Sequence, residues 1–201
     1  MRIISGKYKG RPIEAVPSKN TRPTTDRVRE AWASTLQSHV PGGSLQGLRL
    51  LDVFAGSGAL GLELISRGAA DATFVEKDKR ALRTLRDNIA SLSLREGTTR
   101  VLSADSLTHQ LVAGLKKADP FDIVIFDPPY GTSQAKVKRV IASLGAAGLI
   151  KHACLISYEH SAANTTDMDT FELPDTTPQV TLHLVRNKTY GTITLDYYVC
   201  L

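Results

Sequence analysis

From residue 48 onward, short apolar runs alternate with helix-length amphipathic stretches, and that alternation narrows the choice of fold more than any other feature of the chain. Parallel strands cannot be joined by a tight turn, so a helix carries each crossover and covers a sheet face on the way. The pattern predicts strands over 48–54, 72–76, 100–103, 121–126 and 154–158. It predicts helices from a glycine turn to residue 67 and over 78–94, 106–117 and 133–144. Within 78–94, Leu82, Leu85, Ile89 and Leu92 recur at helical spacing with Lys, Arg and Asp between them, which marks one buried face.

The two ends differ from this centre. Residues 179–186 and 190–200 alternate Thr, Val, Leu, Ile and Tyr around a polar turn at 187–189, an antiparallel hairpin that closes the sheet. The polar stretch 161–178, with two prolines, reads as loop. Before the main pattern come a small hairpin over 3–16 turning near 7–10, a Pro-containing link and a helix over 24–39. Pro41, Gly42 and Gly43 mark a boundary, giving an extension, 1–43, and a main domain, 44–201.

A chain of 201 residues can bury one sizeable core, and 42% hydrophobic with 22% charged residues excludes a disordered, fibrous or disulfide-scaffold protein. No apolar run approaches the roughly 20 residues that span a bilayer, and no apolar stretch follows the basic start, so a cytoplasmic protein is expected. Cys154 and Cys200, widely separated, read as free thiols in a reducing compartment. The net charge of +5 is concentrated at one end. Residues 1–29 hold Arg2, Lys7, Lys9, Arg11, Lys19, Arg22, Arg27 and Arg29 against Glu14 and Asp26, while the remainder balances at −1. Such a segment suits a phosphate backbone, because each Lys or Arg that neutralises a phosphate releases a condensed counterion. A solvated tail is the alternative.

The run Asp52-Val53-Phe54-Ala55-Gly56-Ser57-Gly58-Ala59-Leu60-Gly61 is a G-x-G-x-x-G that follows a strand and opens a helix. Glycines there let the backbone turn sharply and approach a ligand. Glu76 follows 20 residues after Gly56, where a carboxylate accepts ribose hydroxyls. Nicotinamide and S-adenosylmethionine enzymes both use this arrangement. Asp52 before the glycines would face an ammonium but repel a pyrophosphate, which favours S-adenosylmethionine. Asp105, just past the third strand, can accept from an adenine amine. Capping or turn formation is the alternative for both aspartates.

Asp127-Pro128-Pro129-Tyr130 directly follows the apolar fourth strand. Consecutive prolines hold the backbone extended, so the Asp127 carboxylate and the Pro128 carbonyl can converge on one NH2 group. Tyr130 offers a face on which an unpaired base can stack. Carboxyl ends of strands are where open α/β sheets bind ligands.

These motifs in this order resemble the class I S-adenosylmethionine-dependent methyltransferases that act on amino groups. Arg2-Ile3-Ile4-Ser5-Gly6 with Lys9-Gly10-Arg11, then Arg22-Pro23-Thr24-Thr25-Asp26-Arg27-Val28-Arg29-Glu30, is similar to the RsmD family of bacterial 16S ribosomal RNA guanine-N2 methyltransferases, over essentially the whole chain. Ala31-Trp32-Ala33-Ser34 departs from that family's usual Leu-Phe-Asn type segment, with Trp32 as a substitute for the aromatic bulk.

The resemblance implies a Rossmann-like α/β fold. Its sheet would have seven, mostly parallel strands, with helices on both faces, a C-terminal antiparallel hairpin and a small N-terminal hairpin and helix. It implies that Asp52, Phe54, Gly56, Gly58, Gly61, Glu76, Asp105 and Ser106 hold S-adenosyl-L-methionine. Asp127, Pro128, Pro129 and Tyr130 would act on the target, and Arg2, Lys7, Lys9, Arg11, Arg22, Arg27 and Arg29 would contact 16S rRNA, within the small ribosomal subunit. A DNA adenine-N6 or cytosine-N4 methyltransferase is the nearest alternative, but only about 45 residues stand outside the catalytic domain, too few for a target-recognition domain. A protein-glutamine methyltransferase would carry Asn at the Asp127 position. The Asp-Pro-Pro-Tyr run also argues against a non-catalytic RNA-binding module or a nicotinamide oxidoreductase. His39, His109, His152, His160 and His183 show no metal-ligand spacing, so no metal is expected.

Overall fold

The computed structural model describes residues 1–16, 25–163, 170–173 and 179–201. Five α-helices and eight strands, with one 3-10 turn at Pro41–Gly43, occur among them in the order α1 (Asp26–His39), β1 (Arg49–Asp52), α2 (Ala59–Ser66), β2 (Asp71–Glu76), α3 (Lys79–Leu92), β3 (Thr99–Ser103), α4 (Gln110–Leu115), β4 (Phe121–Phe126), α5 (Gln134–Ala146), β5 (Ile150–Ser161), β6 (Thr170–Leu173), β7 (Val180–Tyr190) and β8 (Ile193–Cys200). The strands form one sheet in the order β3-β2-β1-β4-β5-β8-β7-β6. β1 to β5 run parallel, and β5 to β8 pair antiparallel. The order reverses between β1 and β4, which opens a crevice at their carboxyl ends.

Alternation along the strands sorts the core into two layers. Leu50, Ile123, Ile125 and Leu155 pack with Trp32 and Leu36 of α1, Leu62 of α2 and Leu85 of α3. Leu51, Val124, Phe126 and Ile156 point the other way, against Leu111 of α4 and Val137 and Ile141 of α5. β4 is buried on both faces, which is why it reads as an almost unbroken apolar run. Helix starts follow their caps. Thr25 Oγ1 accepts from the Val28 amide at the head of α1, and Asp78 Oδ1 accepts from Arg80 and Ala81 at the head of α3.

Three expectations are corrected. The sheet has eight strands, because Thr170–Leu173, inside the stretch read as loop, pairs with β7. The hairpin turns at Gly191 and Thr192: Asn187, Lys188 and Thr189 are laddered to Asp196, Leu195 and Thr194, while Gly191 takes the positive φ of 62°. The N-terminal hairpin is shorter than 3–16, pairing 1–3 with 10–13 around the Arg2 to Pro12 bridge: the Ile3 amide donates to the Arg11 carbonyl at 2.9 Å and the Ile13 amide to the Met1 carbonyl at 3.1 Å. Proline has no amide hydrogen for a ladder, and the Ile4 and Ser5 amides go to Glu63 of α2 instead, at 2.7 and 3.0 Å. Ile3, Ile13 and Trp32 thereby join the core of the main domain. Among the described residues no helix is long and apolar enough to cross a membrane.

Candidate active site

The glycine loop runs from β1 into α2 beside the crevice. Gly56 and Gly58 both take positive φ, 53° and 77°, and a Cβ on Gly58 would lie 2.4 Å from Leu85 Cδ1. Nothing lies within 4 Å of where a Cβ on Gly56 would stand, so the loop presents bare backbone to an open cleft. Gly61 is small for packing: a Cβ there would meet the Phe74 ring at 2.4 Å. Phe54 sits half-buried, its ring 6.4 Å from that of Phe126.

Glu76 ends β2 and braces this loop. Its Oε2 accepts from the Gly56 amide at 2.9 Å, and its Oε1 accepts from Lys77 and Asp78 at 2.7 and 2.8 Å. Oε2 keeps a lone pair for a ligand hydroxyl. Asp105 Oδ1 accepts from Leu107, and Lys77 Nζ lies 3.0 Å from Oδ2; the Leu107 amide first, then Lys77, hold its carboxyl below the usual range. Ser106 is buried and donates its hydroxyl to the Val53 carbonyl, fixing the end of β1 rather than facing the cleft.

Asp52 at the end of β1, Asp127 just past β4 and Glu159 within neighbouring β5 form a group of three carboxyls that feel one another's charge. Asp52 lies two residues beyond Leu50, Asp127 two beyond Ile125 and Glu159 two beyond Ser157, so the period of two puts all three toward the α1–α2 face. Burial first, then the charges of Asp127 and Glu76, push Asp52 up to about 8. Burial pushes Asp127 up to about 6. Burial and then the charge of Asp127 push Glu159 up to about 8. Tyr130, just past the two prolines, is 64% exposed, a free aromatic face at the mouth of the crevice.

Of the basic set, Arg2, Lys7, Lys9, Arg11 and Arg27 lie on the surface. Arg2, Lys9 and Arg27 line an open cleft of about 400 Å³ with Asp26 and Glu30. Arg22 lies outside the described residues. Arg29 is corrected: it is only 2% exposed, and its Nη2 donates to the Arg2 carbonyl at 2.5 Å and to Asp26 at 3.0 Å. Its guanidinium ties α1 to the first residues and is closed to a phosphate.

Sequence reasoning missed Glu159 and two residues that hold the extension. Glu63, fully buried on α2, accepts from Ile4, Ser5 and Arg67. Asn88 of α3 pairs with both backbone groups of Glu14 and donates to the Ser57 carbonyl at 2.9 Å, so the N-terminal segment and the glycine loop share one side chain. The only signal for Glu159 was a carboxylate closing an apolar strand at the level of Asp127. Trp32 does supply aromatic bulk: it is buried, and its indole N–H donates to Ser157 Oγ at 2.9 Å.

Fold and motif order together define a methyltransferase of the Rossmann-like class. Residues 1–199 match the family model described as Conserved hypothetical protein 95. The chain belongs to the RsmD family of methyltransferases. It is 33% identical over 198 residues to the ribosomal RNA small subunit methyltransferase D of Escherichia coli K12, covering 98% of this chain and 89% of that protein. The protein of the same name from Haemophilus influenzae is 31% identical over 198 residues, with 98% and 93% covered. The solved structure of the Escherichia coli protein yhhF is similar at a TM-score of 0.74 and 32% identity, over 99% of this chain and 97% of that one. A precorrin-6y C5,15-methyltransferase from Geobacter metallireducens, 16% identical with a TM-score of 0.60 over 92% and 93%, shares the fold.

Proposed function

We propose that this enzyme transfers the methyl group of S-adenosyl-L-methionine to the exocyclic N2 of a guanine in 16S ribosomal RNA, within the small ribosomal subunit. The observation that carries the reading is Asp127-Pro128-Pro129-Tyr130 at the carboxyl end of β4, beside the sheet's switch point and with Tyr130 exposed. The names of the relatives supply the ribosomal substrate.

The residues present fit the cofactor. Bare backbone at Gly56, the free lone pair of Glu76 and the buried Asp52 would take an open-faced ribose and a cationic amino acid portion. Gly58 and Gly61 let the loop pack close to α3 and β2, Phe54 and Ser106 fix the end of β1, and Asp105 flanks the adenine side. When bound, S-adenosylmethionine supplies a methyl group on an electrophilic sulfonium. Asp127 and the Pro128 carbonyl accept the two hydrogens of the target amine, and Pro129 keeps both acceptors aimed at one point. Held so, the nitrogen lone pair localises toward the methyl group. Transfer of the methyl group to the amine, with S-adenosylhomocysteine leaving, would give the nitrogen a surplus proton that Asp127 would take, for which a carboxyl pushed up to about 6 is suited. Tyr130 stacks on the extruded base. Residues 1–43 serve as the RNA-gripping extension through Arg2, Lys7, Lys9, Arg11, Arg22 and Arg27, and 44–201 as the catalytic unit.

Small subunits from cells lacking the modification, incubated with labelled S-adenosylmethionine and digested to nucleosides, test this. N2-methylguanosine at one 16S position is expected. Label in an adenine or cytosine amine would overturn the guanine assignment, and tighter calorimetric binding of NAD than of S-adenosylhomocysteine would overturn the cofactor.

A further inference from the structure

Glu159 is the one member of the carboxyl group that the reaction above leaves unused. Its Oε2 is sealed from solvent and accepts no hydrogen bond, although the residue retains some exposure. Asp52 has backbone amides and Glu76 has three. A buried polar atom without a partner is uncommon in native proteins, and a ligand group is one reason to retain it.

Its place says which ligand. In the parallel ladder Phe126 pairs with Tyr158, so Asp127 leaves the end of β4 beside Glu159, which is still held in β5 opposite Leu195 of β8. Neighbouring strands lie about 4.8 Å apart, a spacing suited to two neighbouring positions on one base edge reached through hydrogen bonds of about 2.9 Å. We propose that Glu159 reads the target base, its carboxyl pairing with the N1–H and O6 of guanine while Asp127 and the Pro128 carbonyl hold N2. This rests on the guanine reading above and gives it a residue that selects the base.

A carboxylic acid offers one acceptor and one donor. With the amine at Asp127, guanine presents a ring N–H and then a carbonyl, which match that pair in order. Adenine and cytosine present a bare ring nitrogen next to their amines, so the acceptor of Glu159 would face a lone pair. Burial and the charge of Asp127 keep Glu159 in its acid form at neutral pH, the form this pairing needs. Asp127 remains the group that takes the proton.

The test compares small subunits carrying guanine at the modified position with subunits carrying 2-aminopurine there. The analogue keeps the amine but has neither N1–H nor O6. Wild-type enzyme is expected to prefer guanine by at least about tenfold in kcat/KM, the loss that follows when a buried group faces no partner. Glu159→Ala should methylate the two alike, at a rate at least about tenfold below wild type on guanine. Glu159→Gln, whose amide also offers one acceptor and one donor, should keep most of the preference.

Thermal unfolding and S-adenosylhomocysteine titration accompany each variant, and Glu159→Leu serves as the deletion if the Ala variant does not fold. Undiminished preference for guanine in the deletion variant would overturn the role of Glu159 while leaving guanine methylation intact. Wild-type product other than N2-methylguanosine would overturn both. A melting temperature that drops in every variant, with the preference unchanged, would make Glu159 structural.

Discussion

Asp127 and Tyr130 divide the work at the target base into two parts that kinetics can separate. The carboxylate touches the reacting amine, so its loss belongs to the chemical step. Asp127→Ala is expected to lower kcat by about 100-fold or more, while S-adenosylhomocysteine affinity stays within about twofold. Asp127→Asn keeps a carbonyl acceptor and removes the charge, so activity between those of Ala and wild type would assign the remainder to proton acceptance. Tyr130 supplies stacking worth about 1–3 kcal/mol, so Tyr130→Ala should raise KM for the subunit by about tenfold and Tyr130→Phe should change little. Single-turnover rates on unmethylated subunits check both, and full activity in Asp127→Ala would remove the residue from the mechanism.

At the scale of elements, the first sixteen residues owe their shape to α2. Glu63 takes the amides of Ile4 and Ser5, the Lys7 amide donates to the Ser66 carbonyl at 2.7 Å, and Tyr8 donates to Ser66 Oγ at 2.9 Å. Gly6 passes so close that a Cβ would stand 1.8 Å from the Ser66 carbonyl oxygen. Removing Glu63 strands two amides and the Arg67 guanidinium in the interior. Glu63→Ala should therefore cost about 3 kcal/mol or more of unfolding free energy by urea titration, and Glu63→Gln, which keeps an acceptor, distinctly less. A loss under about 1 kcal/mol for the Ala variant would mean that Glu63 adds little to the other contacts that hold the extension.

The whole molecule carries two electrostatic signatures. One is the basic end: changing Lys7, Lys9 and Arg11 to Ala should weaken RNA binding and lower its salt slope by about one unit per lost phosphate contact, with cofactor affinity unmoved. Unchanged filter-binding slopes would make that end a solvated surface. The other is the carboxyl group at the sheet's end. Asp52 and Glu159 rise from 3.8 and 4.5 to about 8, and Asp127 from 3.8 to about 6. An acid whose folded pKa exceeds its unfolded value binds more protons when folded, so its contribution to stability declines as pH rises between the two values. His160, raised chiefly by Asp196 against burial, acts in the same direction, losing its contribution as pH rises. The ligand-free melting temperature should fall from pH 5 to pH 8, and Asp52→Asn should flatten that fall. An equal slope in the variant would show that Asp52 ionises freely in the folded protein.

Sequence alone determined what depends on local period and on neighbours along the chain. β4 was legible to the residue, Phe121–Phe126, because both its faces are buried and Pro120 and the Asp-Pro pair bound it. The glycine loop, Glu76 and Asp127 were legible because each sits at a fixed offset from a strand end. β6 was not, since four residues give too short an alternation to register among prolines and polar residues. The hairpin turn moved to Gly191, where the ladder continues through polar Asn187 and Lys188 because cross-strand partners await them. Only the tertiary structure decided which charges are free. Arg27 and Arg29 look alike in the chain, yet one faces solvent and the other closes on Asp26 and the Arg2 carbonyl. Glu63 and Glu159 look like any surface glutamate, and one anchors the extension while the other buries its Oε2 without a hydrogen-bond partner. A side chain's face is written in its period, but a charge's fate depends on partners that folding brings from 58 or 59 residues away.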